Sequence, residues 1–73
     1  MNEEQEDAVR ELMRVPGLGK TTAETLVGSG YLSIEEVAYA PQEELLRQSG
    51  LVESQALAVR ASARNFLLTG SRS

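Results

Sequence analysis

The residues whose types and spacing could do chemistry lie close together, in the run Val15-Pro16-Gly17-Leu18-Gly19-Lys20. A turn built on glycines can take positive backbone angles and bare its amides. If a helix begins directly after it, those amides and the positive end of the helix dipole make a seat for phosphate. Gly17 and Gly19 would supply the turn and Lys20 a mobile ammonium, which points to contact with a nucleic-acid backbone. The plainer reading is a tight turn over Leu18 with a solvated lysine. Arg60 and Arg64, four residues apart on one face of a helix, could add attraction to nucleic acid. Otherwise they pair with Glu53 or Glu36, or are solvated near a helix C-terminus, where cations are favoured. Gly19-Lys20-Thr21 also invites comparison with a nucleotide-binding P-loop. That loop needs a glycine five residues before Gly19, where Arg14 stands, and a strand in front of it.

Catalysis finds no footing. The chain has 11 acidic side chains but no His and no Cys, so imidazole and thiolate chemistry and their zinc sites are excluded. Glu35 and Glu36, like Glu43 and Glu44, are sequence neighbours that diverge around a helix axis instead of converging as an acid/base pair. We therefore expect a non-enzymatic chain with no catalytic residue, metal or cofactor. Glu35, Glu36, Glu43 and Glu44 form a negative face that could steer a basic protein partner. Tyr39 or Tyr31, if exposed, would anchor such an interface; the alternative for both is at least partial burial.

The 73 residues leave room for one domain at roughly 100 to 200 residues each. A chain this short buries only roughly 60% of the surface its unfolded form exposes, so stability should be marginal. The net charge of −4 and pI near 4.7 argue against a free-standing electrostatic nucleic-acid binder. The charge is uneven. Residues 1–13 set five acids against Arg10, and residues 31–53 set five acids against Arg47, whereas residues 54–73 hold only Arg60, Arg64 and Arg72. No apolar run approaches the ~20 residues of a membrane span, and the acidic start is the opposite of a signal peptide. These features predict a soluble, cytoplasmic and monomeric domain.

The order of residues predicts five helices. The first runs from Glu3 to Met13, with Asn2 as N-cap, acids in its first turn and Pro16 beyond its end. The second, from Lys20 to Ser29, puts Ala23, Leu26 and Val27 on one face and stops at Gly28 and Gly30. Ser33 and Glu36 form a capping box for a short connector bearing Ile34, Val37 and Ala38. Pro41 suits the first position of a fourth helix reaching Gln48, with Leu45 and Leu46 buried. The fifth, from Glu53 to Leu68, repeats Ala56, Val59, Ala63, Phe66 and Leu67 at helical spacing and ends at Gly70. Nothing alternates as a strand does, so the fold class is all-α.

An ungapped internal repeat organises these helices. At an offset of 33, Glu11, Leu12, Arg14, Gly17, Leu18 and Ala23 recur as Glu44, Leu45, Arg47, Gly50, Leu51 and Ala56. Met13, Thr21 and Leu26 become Leu46, Ser54 and Val59. Each copy reads as helix, glycine turn, helix, so the chain is expected to be a five-helix bundle of two helix-hairpin-helix motifs. The domain is expected over residues 1–73, with a core from 8 to 68: a first motif over 8–30, a connector over 31–40 and a second motif over 41–68. The second turn is poorly equipped for phosphate, because Val52 stands where Gly19 does and Glu53 where Lys20 does.

The segment from Leu12 to Leu26 is similar to the helix-hairpin-helix consensus. Tyr31 to Leu46 followed by Ser49 to Leu67 resembles the acidic carboxy-terminal repeats of the bacterial transcription elongation factor NusA, over about residues 8–68. That resemblance implies a protein-interaction role in transcription elongation, termination or antitermination. The implied partners are RNA polymerase, in particular its α subunit carboxy-terminal domain, or a phage antitermination protein. In that family such repeats also restrain the factor's own RNA-binding domains, acidity acting as an RNA mimic. The chain departs from those repeats in keeping Gly17, Gly19 and Lys20, which leaves weak nucleic-acid contact open. A second resemblance, to the small amino-terminal domain of archaeal and eukaryotic RecA-like recombinases, implies DNA binding by the first hairpin in recombination or repair.

Overall fold

In a computed structural model, residues 2–69 are described, and they form five helices: α1 (Glu3–Leu12), α2 (Lys20–Gly28), α3 (Ile34–Tyr39), α4 (Gln42–Ser49) and α5 (Glu53–Thr69). The expected all-α class holds, with helix ends within about a residue of those expected. Asn2 caps α1 as anticipated, but through a full capping box. Its side chain accepts from the Gln5 amide at 2.8 Å, while the Gln5 side chain accepts from the Asn2 amide at 3.2 Å. Glu3, Glu4 and Glu6 then lie against the positive end of the helix dipole.

The first turn follows from Pro16 and Gly17. As α1 ends, Arg14 and Val15 bond back to the carbonyls of Glu11 and Leu12. The Leu18 amide then donates to the Val15 carbonyl at 3.1 Å. Proline second and glycine third in this four-residue turn, with Gly17 at φ 85, is the arrangement of a type II turn. Gly19 behaves differently from the expectation. Its φ of −80 and ψ of 172 are ordinary extended backbone, and it serves as the N-cap of α2.

At the far end of α2 only Gly30 is the conformational stop, since Gly28 is still helical. With Gly30 at φ 101, its amide donates to Val27 and that of Tyr31 to Leu26, both at 3.0 Å. These two bonds make a Schellman motif, and the buried Tyr31 and Leu26 side chains are the apolar pair that accompanies it. Ser33 caps α3 by accepting from the Glu36 amide at 3.1 Å. The reciprocal half of the expected capping box is not made, because the Glu36 carboxylate accepts from the Ser33 hydroxyl instead. Pro41 is the N-cap of α4, one place earlier than expected, and Gly50 closes that helix in the left-handed conformation at φ 73. The expected stop at Gly70 lies outside the described residues.

α1 packs on α2, α4 on α5, and α5 also lies along α3. Leu12, Leu26, Val37 and Leu45 are fully excluded from solvent, and Ala23 and Ala63 supply the small surfaces that let helices approach. Leu46, Phe66 and Leu67 are only partly buried against this core, and Leu46 therefore corrects the expectation of full burial. Thr22 and Gln55, equivalent residues of the two copies, hydrogen-bond to each other at 3.1 Å. The two copies therefore touch through equivalent positions of their second helices, α2 and α5.

Candidate functional site

The first hairpin keeps its glycine turn, but its parts face two directions. Gly17 and Leu18 line a shallow depression with Thr22 and the α5 residues Gln55, Ala58, Val59 and Ser62. Lys20, the first residue of α2, lines the opposite groove between α1 and α2, alongside Glu6, Val9, Arg10, Met13 and Glu24. No side chain caps the first amides of α2, and no acid occupies its first turn. The helix end is therefore open to an anion, with Lys20 exposed beside it. A β-carbon at Gly19 would meet nothing within 4 Å. Gly19 thus leaves open room beside the start of α2 and contributes no unusual backbone angle.

The second hairpin reproduces the backbone feature and loses the chemistry. Gly50 repeats the positive φ of Gly17. Ser49, standing where Pro16 does, lets α4 continue to the edge of the turn, and its hydroxyl accepts from the Leu51 amide at 3.2 Å. Val52 is 65% exposed, and Glu53 begins α5 with a negative charge where the first copy has Lys20. A phosphate would meet an isopropyl group and a carboxylate there.

Arg60 and Arg64 do not join the first hairpin. The α5 residues beside Gly17 are Gln55, Ala58, Val59 and Ser62; at 100° per residue the two arginines fall on the other side of the helix. The Arg60 Nε donates to the Ala40 carbonyl at 2.7 Å, and the Arg64 guanidinium lies 5.6 Å from the centre of the Tyr39 ring. Neither pairs with Glu53 or Glu36: the two ion pairs among the described residues are Arg10 with Asp7 and Arg14 with Glu11.

The acidic candidates are drawn together more closely. Glu35, Glu36 and Glu44 share one open depression with Tyr31, Tyr39, Ala40 and Pro41. Glu43, exposed on α4, lies outside its lining. The two tyrosines divide the alternatives between them. Tyr31 belongs to the core, whereas Tyr39 is 58% exposed. Burial raises the Tyr31 phenol above the ordinary tyrosine value, and the negative charges of Glu44 and Glu36 raise it further.

Spacing in the sequence left three contacts unread. Asn2 and Gln5, with two residues between them, are a capping-box pair visible at the N-terminus. Thr22 with Gln55 follows from the offset of 33 once like is set against like. Arg64 over Tyr39 joins residues with no local signal, and only the packing of α3 on α5 reveals it.

Two helix pairs, each turning on a positive-φ glycine and meeting with equivalent residues in contact, define a tandem helix-hairpin-helix protein, a class of small module for binding nucleic acid or protein. The family model for the SAM-like helix-hairpin-helix tandem matches residues 9–65, and the chain belongs to that family. No solved structure matches it. Among the described residues, no helix is long and apolar enough to cross a membrane.

Proposed function

We propose that the chain is a non-catalytic, cytoplasmic protein-interaction module of a transcription elongation, termination or antitermination factor similar to the acidic repeats of NusA. Its partner is the carboxy-terminal domain of the RNA polymerase α subunit or another regulatory protein with a basic contact surface. The observation that carries this reading is the depression in which Glu35, Glu36 and Glu44 gather around the exposed Tyr39. An aromatic anchor with a rim of one charge sign suits a steered protein interface. The loss of phosphate chemistry at Val52 and Glu53 points the same way, because a grip on a duplex uses both hairpins.

The test is an amide-resolved NMR titration of the isotope-labelled chain with the α subunit carboxy-terminal domain. Shifts confined to the Glu35 to Glu44 region, and their loss in a Glu35→Lys, Glu36→Lys, Glu44→Lys variant that melts as the parent does, are the expected outcome. A second reading has its own observation: the uncapped start of α2 with Lys20 beside it suits a single backbone phosphate of DNA in a recombination or repair protein. A short duplex at low salt decides between them. Shifts at Gly17 to Lys20 that vanish as salt rises, through counterion release, would replace the first reading with the second.

A further inference from the structure

The outer face of α5 carries apolar residues that the bundle leaves uncovered. Ala56, Val59 and Ala63 point inward and are buried, yet Leu57, Ala61 and Leu68 are exposed, Leu68 by 61%. Together with Arg64 these outer positions are spaced four, three and four residues apart. That is the repeat by which one helix packs along another, and Arg60 occupies a flanking position where such pairs place their charges. Arg60, Ala61, Arg64, Asn65 and Leu68 line one shallow groove.

Both arginines are already held in place. Arg60 is fixed by its bond to the Ala40 carbonyl and Arg64 by the Tyr39 ring, which is itself 58% exposed. No carboxylate among the described residues pairs with either, and α5 holds no acid after Glu53. In a molecule of net charge −4, the groove is a cationic island in which Ala61 and Leu68 supply the apolar surface.

We propose that this seam is a docking surface for an acidic amphipathic helix of a protein partner; it adjoins the acidic depression at Tyr39 and does not depend on the role proposed for that depression. The partner's apolar stripe covers Leu57, Ala61 and Leu68, and its carboxylates meet Arg60 and Arg64. Charge selects an acidic occupant over a basic one. The helical repeat of apolar positions selects a protein helix over nucleic acid, whose phosphates offer nothing apolar to cover the leucines. A second copy of α5 would bring arginines to arginines with no acid along the seam to answer them. Pre-ordered arginines beside an aromatic also lower the entropy lost on binding.

The probe is a synthetic helix of about 15 to 20 residues, long enough to hold helical structure, with leucines at the seam positions and glutamates beside them. The control replaces those glutamates with lysines. Against the intact labelled chain, the glutamate peptide is expected to shift the amides from Leu57 to Leu68 and that of Tyr39, and the lysine peptide is not. Arg64→Glu should weaken binding by about tenfold or more. Arg64→Glu also gives up the Tyr39 contact, a modest cost to the fold at an exposed site, so its binding is read well below its own melting temperature; Leu68→Gln, 61% exposed at the parent residue, provides a second variant that should weaken binding without touching charge. Equal binding of the lysine peptide, or no response of these amides to the glutamate peptide, overturns the proposal. So does displacement of the peptide by a DNA duplex at the same residues, or a concentration-dependent dimer that Arg64→Glu abolishes.

Discussion

Gly17 and Gly19 look interchangeable in the sequence, two residues apart in one short turn, and the fold gives them opposite tasks. Gly17 sits at φ 85, where a β-carbon is strained even in open space. Gly17→Ser should therefore cost about 1–2 kcal/mol, read as a lower urea midpoint at unchanged slope. Gly19 is an N-cap in extended backbone with nothing near its missing side chain. Gly19→Ser should raise stability by a few tenths of a kcal/mol, because the hydroxyl can accept from the first amides of α2. The same hydroxyl would occupy the seat that the DNA-binding reading needs, so under that reading one substitution strengthens the fold and weakens duplex binding together. The need for a turn was legible from Pro16 and Gly17. Which glycine carried the unusual angle was not, because that depends on where α2 begins, and a helix start shifts by a residue at little cost.

The periodicity of apolar residues located all five helices, and the repeat located both turns. What it could not locate was the depth of each side chain. Leu45 and Leu46 are adjacent leucines on α4, yet Leu45 is fully buried between helices while Leu46 is half-buried at the margin. Leu45→Ala should cost about 2–5 kcal/mol, most of the 3–5 kcal/mol or so that a core this small supplies, leaving a chain largely unfolded by circular dichroism at room temperature. Leu46→Ala should cost clearly less and leave a folded, cooperative transition. Ser33→Ala should remove about 1 kcal/mol through loss of the α3 cap, since the Glu36 amide has its partner in the Ser33 hydroxyl. The acidic candidates on α3 and α4 were legible as charge runs, but their convergence on one depression depends on the bend at Ala40 and Pro41, which no periodicity records.

Across the whole molecule, charge and symmetry pull apart. The acidic depression and the arginine seam meet at Tyr39, so alkaline pH should report on the depression through its buried neighbour Tyr31. Because Tyr31 titrates above its ordinary value of about 10, the fold favours the neutral phenol. That contribution is intact below about pH 10 and is lost as pH rises through the folded value. In a Tyr39→Phe background, where Tyr31 alone reports, Glu44→Gln should move tyrosinate absorbance to lower pH by removing one cause of the shift, while burial and the Glu36 charge preserve the remainder. The Thr22 to Gln55 hydrogen bond sets a further condition on the whole. It ties the two like halves to each other through equivalent positions of α2 and α5. A partner that reads one hairpin and not the other must tell them apart at the exposed positions where the halves differ: Gly19 against Val52 and Lys20 against Glu53.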